Sequence, residues 1–478
     1  MSNLGDNRLD AMLDTRIFTL PFICPITAAR LFAGLLALAL LTGKPGHAES
    51  LDLKTAVRLA LVSEAQYRAT RAELDAIREE KPRARSALLP SLSITGSRTN
   101  NRAKRTFSDG LTDYPDYTSE EYGLILKQPL FRRDNWIKYQ QADTRIASAE
   151  QLTDVDRIKL ILNVSEQYLD CLYTDAVVRF ARAEVRALEG LLTSVTRGFS
   201  AGATTRTDIL DAEARLDAAR VKLIEAEQNI DATRRALEAS IGQRVSAIYP
   251  IQPARLVLKE PNLRIDEWRV AALTSNPEIQ AAQYNVQLAK QEIQLQRAGH
   301  YPTLDLIAQR QLENSGTITT IQLRTITNLW GVQFNIPIFS GGYVTASTRQ
   351  AVAQLERAKA ELDFANSEVA LRTAKAVEAL HASSQRVQAL SRAETSAAAS
   401  LTGTEKGLEA GTRSFVDVLN ARQQLLEVMQ SRARANADFV MGLLNLNAST
   451  GLPDETAVDE ANAFLSKEEV ITFPNDTL

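Results

Sequence analysis

Residues 406–419 read KGLEAGTRSFVDVL, and residues 197–210 read RGFSAGATTRTDIL in nearly the same pattern. The two central glycines, Gly202 and Gly411, are 209 positions apart. Each stretch is a short break rich in glycine and threonine between two long runs with apolar residues at helical spacing. Such a break is typical of a turn that joins two antiparallel helices. The sequence therefore predicts two long helical hairpins, with tips near residue 202 and near residue 411.

The interval between the tips recurs along the chain. The matching pairs and their separations are Pro90 and Pro302 (212), Pro129 and Pro337 (208), and Gly242 and Gly451 (209). A nearly constant offset at several landmarks indicates an internal duplication. The predicted unit is helix, strand, loop, strand, long helix, turn and long helix. It occupies residues 49–255 and again residues 256–452.

Alternating polar and apolar residues mark two strands in each unit. The predicted strands cover about residues 91–100 and 118–128 in the first unit, and about residues 303–311 and 322–336 in the second. The clearest alternation is in residues 330–336, WGVQFNI, where every second residue is apolar. A strand of this kind faces a different solvent on each side.

Long stretches without proline mark the hairpin helices. No proline occurs between Pro129 and Pro250 or between Pro337 and Pro453, so the hairpins are predicted over residues 134–244 and 341–450. Large apolar residues recur every seven positions with alanines between them, as in Ile209, Leu216, Leu223, Ile230 and Leu237 with Ala212, Ala219 and Ala226. This pattern predicts closely packed coiled-coil helices.

Three further segments complete the chain. A shorter helix is predicted before each strand pair, over residues 51–88 with a kink at Pro82, and over residues 266–298. Residues 453–478 have no counterpart in the other unit and are expected to form a flexible C-terminal tail.

The first 48 residues differ from the rest of the chain. Arg30 precedes an apolar run over residues 31–41, and Gly46 and Ala48 are small residues at the positions that a signal peptidase requires. The run is shorter than the ~20 apolar residues of a membrane-spanning helix. Residues 1–48 are therefore predicted to be a signal peptide that is removed on export.

Composition excludes several classes of protein. The chain of 478 residues is 45% hydrophobic and 24% charged, with a formal net charge of −3, so it is neither a disordered nor a polytopic helical membrane protein and has no basic excess for nucleic acid. Cys24 leaves with the signal peptide, and Cys171 alone cannot form an internal disulfide. We predict no metal site and no cofactor.

The predicted elements point to an assembly. Two pairs of alternating strands cannot close a barrel alone, and open strand edges are unfavourable in both lipid and water. Closure by self-association removes those edges. Residues 135–200 as one helix would be about 100 Å long. An exported protein with a small sheet at one end and very long helices at the other suggests a conduit across the periplasm.

The chain resembles the TolC family of bacterial outer-membrane channels over essentially its whole mature length. The motifs that carry the resemblance are residues 88–90 (LLP), 128–131 (QPLF), 299–306 (GHYPTLDL), 336–342 (IPIFSGG), and 411–413 (GTR) with 417–419 (DVL). The resemblance implies a mainly α fold with a small transmembrane β component. It further implies a homotrimer in which four strands per chain form a twelve-stranded outer-membrane barrel, continuous with a periplasmic α-barrel of long coiled-coil hairpins.

The resemblance also implies a function and partners. Such channels contact a periplasmic adaptor (membrane fusion protein) and an inner-membrane transporter, and they serve drug efflux, type I protein secretion or both. The hairpin tips, here Gly202 and Gly411, are the expected adaptor contacts. The channel is expected to be a passive conduit that is gated at its periplasmic tips.

The resemblance implies that four residues belong to the periplasmic gate. Asp208 and Arg413 match the acidic and basic partners that link neighbouring tips, and Asp417 matches a carboxylate that lines the constriction. Asn420 stands where the best-known members have a second acidic residue, and Leu408 stands where a tyrosine is frequent. The constriction is therefore expected to carry fewer carboxylates, and neighbouring tips are expected to be joined by fewer polar links in the closed state.

Local roles for the same residues remain open from sequence. Asp208 and Asp417 also suit the N-terminal ends of helices, and Thr207 is a candidate N-cap. Asp211 is a candidate substitute for the missing carboxylate. Aromatic residues near the strand ends fit an interfacial girdle; they are Tyr122, Phe131, Trp136, Trp330 and Phe339.

Two other functions fit the sequence less well than a channel does. A soluble periplasmic coiled-coil adaptor or scaffold would leave the duplicated strand pairs without a reason. An enzyme is not expected, because the sequence has no nucleophile motif, phosphate loop or acid–base constellation.

Overall fold

The computed structural model describes residues 50–253, 255–256, 264–315, 323–451, 455–466 and 468–473. The predicted signal peptide, 1–48, lies outside these residues. Among the described residues, no helix has both the length and the apolar character that crossing a membrane requires.

Two long helical hairpins form most of the chain. The first consists of α4 (Arg133–Ser200) and α5 (Arg206–Ile241), and the second of α8 (Tyr343–Glu409) and α9 (Phe415–Ser449). The shorter helices are α1 (Leu53–Ser63), α2 (Ala65–Arg78), α3 (Glu80–Ser86), α6 (Ile265–Ser275), α7 (Pro277–Arg297) and α10 (Glu455–Ala463). Within the chain α9 packs against α4, and α7 packs against both α4 and α8. The two hairpins are therefore neighbours in one helical layer.

Four long strands form one antiparallel sheet in the order β1-β4-β6-β7. They are β1 (Ser91–Arg102), β4 (Asp116–Phe131), β6 (Thr303–Ser315) and β7 (Leu323–Asn335). Two short pairs accompany them, β2 (Arg105–Thr106) with β3 (Thr112–Asp113) and β5 (Ala247–Ile248) with β8 (Ile471–Thr472). The central contact, β4 with β6, joins the two repeats.

The pairing register separates the sheet into an apolar face and a polar face. Directly paired residues share a face, and successive residues alternate between faces. One face carries Leu92, Ile94, Tyr122, Leu124, Leu126, Leu306, Ala308, Leu312, Ile326, Trp330, Val332 and Phe334. The opposite face is mostly polar and carries Ser91, Ser93, Thr95, Glu121, Lys127, Gln309, Gln311, Glu313 and Thr327, with Ile125, Ile307 and Leu329 as its apolar members. The apolar face is open to solvent in the single chain, with Trp330 84% exposed.

The heptad residues of the first hairpin lie in the helix–helix contact. Ala212, Leu216, Ala219, Ala226 and Leu237 are all buried. Alanine at alternate positions lets the α4 and α5 backbones approach closely, which is what the sequence pattern predicts.

The two shorter predicted helices are each divided. The predicted helix over 51–88 becomes α1, α2 and α3, and Pro82 lies in the first turn of α3 rather than at a kink. The predicted helix over 266–298 ends at Ser275 and restarts at Pro277. Proline in a first turn leaves no hydrogen bond unmade because those N–H groups have no helical acceptor.

The prediction of a flexible C-terminal tail is wrong for residues 455–466 and 468–473. Helix α10 packs against α1 and α9, with Val458 and Ala461 buried. Leu465 forms a bridge with Ile251, and β8 pairs with β5. The apolar residues of this segment have no partner within one repeat, but they complete the main core where the two repeats meet.

Cys171 lies in that core with no exposed surface, and burial raises its pKa to about 12. The thiolate is the reactive form of cysteine, so we expect the native mature protein to resist maleimide at pH 7 and to react fully once unfolded in urea. Mass spectrometry of the labelled chain measures this. Ser200→Cys, at an exposed position near the first tip, provides a fast-labelling control, and equal labelling rates at the two positions would contradict the buried placement.

Candidate gate at the hairpin tips

The two tips have the same backbone geometry. Gly202 and Gly411 have φ angles of +76° and +73°, which glycine adopts without the strain that a side chain brings. The Gly202 N–H donates to the Phe199 carbonyl and the Gly411 N–H to the Leu408 carbonyl, both at 3.0 Å. The duplicated sequences therefore build the same turn twice.

A second pair of glycines, which sequence reasoning missed, permits the chain to close on itself. A Cβ atom at Gly198 would lie 2.9 Å from Thr204 Cγ2, and one at Gly407 would lie 2.6 Å from Arg413 Cγ. The carbonyl of Gly407 also accepts hydrogen bonds from the N–H groups of Thr412 (2.8 Å) and Arg413 (3.1 Å). The signal for these positions was the basic residue and glycine that open both stretches.

Asp208 and Asp417 occupy equivalent positions at the start of the second helix of each hairpin. Thr205 N donates to Asp208 Oδ2 at 2.8 Å, and Asp208 N donates to Thr205 Oγ1 at 3.2 Å. Asp417 makes the same two contacts with Ser414. Each pair is a capping box, which satisfies N–H groups that the helix leaves free.

The N-cap of helix α5 is therefore Thr205, and the prediction of Thr207 as the N-cap is wrong. Thr207 already lies inside helix α5, where its side chain cannot serve the first turn. The spacing Thr-x-x-Asp, repeated as Ser-x-x-Asp in the second hairpin, is the signal that identifies the correct residues.

The capping contacts keep both carboxylates charged. Hydrogen bonds from the Thr205 backbone and side chain lower the pKa of Asp208. Those from Ser414, with the nearby positive charge of Arg413, lower the pKa of Asp417. A lowered folded-state pKa means that the contribution of each box to stability is present above the ordinary carboxyl pKa and is lost only as pH falls through the lowered value. Both groups are anionic at neutral pH.

The remaining candidate residues are exposed at the second tip. Arg413 and Asn420 are both exposed, and within the described residues of one chain no ion pair joins Arg413 to Asp208. On the first hairpin, Asp211 forms an exposed ion pair with Arg215 Nε at 3.1 Å along the same helix. The structure brings Arg413 close to Asp417 but does not join the two tips within one chain.

A small apolar cluster anchors the second tip to the first hairpin. Leu419, on α9, is buried against Val185, Leu188, Leu216 and Ala219 of the first hairpin. The charged gate candidates of the second tip, Arg413 and Asp417, therefore lie within six residues of a packed contact.

Known proteins resemble this chain over most of its length. A family model described as outer membrane efflux protein matches residues 56–243 and 268–452. The alkaline protease secretion protein AprF of Pseudomonas aeruginosa is 29% identical over 425 residues, which are 88% of this chain and 88% of that protein. The outer membrane protein TolC of Escherichia coli is 26% identical over 449 residues, with 89% and 87% covered.

Solved structures share the fold. The Campylobacter jejuni CmeC outer membrane channel superimposes with a TM-score of 0.70 at 17% identity, over 87% of this chain and 90% of that one. A CusC structure gives a TM-score of 0.72 at 17% identity, over 84% and 92%.

Proposed function

Because the chain belongs to the outer membrane efflux protein family, we propose that it works as a homotrimeric export channel with a gate at its periplasmic helical tips. As a member of this family it resides in the outer membrane and extends into the periplasm. Family membership also favours the export channel over the soluble periplasmic adaptor or scaffold.

The two-faced open sheet is the observation that supports the barrel. β1 and β7 form the edges of the sheet, and among the described residues neither has a strand partner on its outer side. Pairing β7 of one copy with β1 of the next satisfies both edges, and three copies give twelve strands. The apolar face then contacts lipid, and the polar face lines the lumen.

Helices α5 and α8, at the two edges of the helical layer, would contact neighbouring copies in the same way as the edge strands. Helix α8 exposes Tyr343 and Phe364, each 70% exposed, while α5 exposes Val221 and Ile224, each 55% exposed. Apolar side chains in this number on the flanks of a helical layer suit burial against neighbouring copies. Closure of the layer produces an α-barrel continuous with the sheet.

The proposed cargo route includes two further proteins. The tips around Gly202 and Gly411 would contact a periplasmic adaptor that joins the channel to an inner-membrane transporter. AprF and the protease secretion protein PrtF of Dickeya chrysanthemi are among the relatives, which supports type I protein secretion alongside efflux. Selection of cargo would then rest with the transporter and adaptor.

We propose that Arg413 of one tip pairs with Asp208 of a neighbouring tip in the closed channel. Asp208 uses Oδ2 for its capping box, and within the described residues its Oδ1 accepts no hydrogen bond. One carboxylate can therefore hold its own helix start and still receive a guanidinium. An exposed pair of this kind contributes only ~0–1 kcal/mol, which suits a lock that is present three times and has to open.

Planar-bilayer conductance of the purified mature protein tests the channel and the gate together. We expect a small conductance for the wild type and a several-fold increase for Asp208→Ala/Arg413→Ala, because the links that narrow the entrance are lost. Asp208→Asn keeps a capping oxygen but removes the charge, so it should raise conductance as Asp208→Ala does.

Arg197→Ala removes a tip charge outside the proposed pair and serves as the control. A rise in Asp208→Ala without a rise in Asp208→Asn would assign the effect to the helix cap instead. Folded trimers that never conduct would refute the channel itself.

A further inference from the structure

Two pairs of polar residues flank the last apolar pair of the apolar face near the β6–β7 connection. The first pair lies inside the apolar rows, and the second belongs to the polar row that ends them and continues through Glu120 and Arg98. Arg310 and Asn314 lie on β6, and Asn328 and Arg324 lie directly opposite them on β7. Between these two rows the register pairs Leu312 with Ile326. We call Arg310, Asn314, Arg324 and Asn328 the polar quartet.

The quartet surrounds one apolar pair at close range. The Arg310–Asn328 pair and the Asn314–Arg324 pair are each two residues from the Leu312–Ile326 pair. Two residues correspond to about 7 Å along the strands. An extended arginine side chain has a similar length, so both guanidinium groups can reach a ligand that rests over Leu312 and Ile326. Both arginines are exposed.

The quartet arginines differ from the others at this end of the sheet in having no acidic partner among the described residues. Arg98 Nε lies 3.3 Å from Glu120 Oε1, and Arg102 Nε lies 3.0 Å from Asp116 Oδ1. A charged residue on a lipid-facing strand is costly unless it is close to the membrane interface or finds a counter-ion. Arg310 lies among Leu124, Ala308 and Leu312, and Glu120, the carboxylate beside Asn314 on the same face, is paired with Arg98. The charge of Arg310 can therefore accept an anion from outside the chain.

The end of the sheet at which the quartet lies identifies the leaflet. The strands join the long helices at one end, while the β1–β4 and β6–β7 connections lie at the opposite end. With the helices in the periplasm, the connections face the outside, and the quartet lies on the outward half of the apolar face. This step rests on the proposed barrel.

We propose that the polar quartet binds the phosphate group of an outer-leaflet lipid, with the acyl chains of that lipid along Leu312, Ile326 and the apolar rows below. Guanidinium forks bind phosphate oxygens in a bidentate manner, and the asparagine amides supply further N–H donors. Basic residues beside apolar surface at a membrane interface are suited to anionic lipid headgroups.

The mature trimer in phosphatidylcholine nanodiscs, titrated with diphosphoryl lipid A, provides the test. Native mass spectrometry counts lipid A molecules retained per trimer. We expect retention by the wild type and at least about a tenfold weaker apparent affinity for Arg310→Gln/Arg324→Gln. Arg102→Gln/Arg105→Gln removes the same number of charges from the same end of the sheet, at residues paired with Asp116 and Asp113, and should retain lipid as the wild type does.

Two outcomes would overturn the proposal. Equal retention by the wild type and Arg310→Gln/Arg324→Gln would show that the quartet does not bind the lipid. Competition by inorganic phosphate as effective as that by lipid A would identify a site for a free anion rather than a lipid. Conductance recorded from the same preparations reports the channel separately, so a wild type that binds lipid without conducting would count against the proposed function alone.

Discussion

We expect Asp305→Ala to destabilise each chain by roughly 3 kcal/mol and to reduce trimer assembly strongly, since it removes the acceptor from a buried ion pair. Asp305, on β6, is 4% exposed. Its Oδ1 and Oδ2 accept from Arg132 Nε at 3.0 Å and Arg132 Nη2 at 2.6 Å, and Lys127 Nζ lies 3.3 Å from Oδ2. Arg132 connects β4 to α4, so the pair ties the second repeat to the first where sheet and helices meet.

The loss of stability in Asp305→Ala has two causes. The bidentate bond disappears, and a partly buried guanidinium is left without its counter-ion. Arg132 retains 29% of its side-chain exposure, which lets water relieve part of the charge and places the estimate at the low end for a buried pair.

Urea unfolding of purified trimers and the yield of trimer per cell measure the effect. Asp116→Ala is the matched control, because the Arg102–Asp116 pair is 82% and 61% exposed and should contribute at most ~1 kcal/mol. Similar changes in the free energy of unfolding for the two variants would mean that the Arg132–Asp305 pair stabilises the protein no more than an exposed salt bridge does.

Features with a local signal could be predicted from the sequence. Glycine at a tip, proline at a strand end and alternation along a strand each act within a few residues. Their repetition at about 209 positions then gave the order of elements without any knowledge of contacts. The strand alternation in residues 330–336 even identifies the apolar face that the register later defines.

Features that depend on contacts between distant residues could not be predicted from the sequence. Asp305 and Arg132 are 173 positions apart, and nothing near either residue indicates the other. The same holds for the C-terminal segment, whose apolar residues find their partners only where both repeats meet. At the gate, Asp208 and Arg413 are identified only by the family resemblance, whereas the caps Thr205 and Ser414 have a local signal in the Thr/Ser-x-x-Asp spacing.

Gly451→Ala is expected to destabilise the protein by about 3 kcal/mol or more, because it combines backbone strain with overpacking. The φ angle of Gly451 is +81°, and an added Cβ would lie 2.7 Å from both Pro277 Cδ and the Ser275 carbonyl oxygen. The glycine follows α9 at the point where Asn276 Nδ2 donates to the Ser449 carbonyl at 2.9 Å. Displacing it separates the end of the second hairpin from the break between α6 and α7.

Gly411→Ala separates the two contributions, since Gly411 has a similar φ of +73° but nothing within 4 Å of an added Cβ. It should therefore cost only the left-handed backbone term of about 1–2 kcal/mol. Urea midpoints of the two variants, measured beside the wild type at one protein concentration, give the difference directly. If both substitutions shift the midpoint equally, the close contact at Gly451 relaxes at no cost. A larger shift for Gly451→Ala means that Ser275 and Pro277, at the α6–α7 break, do not move far enough to accommodate the added methyl group.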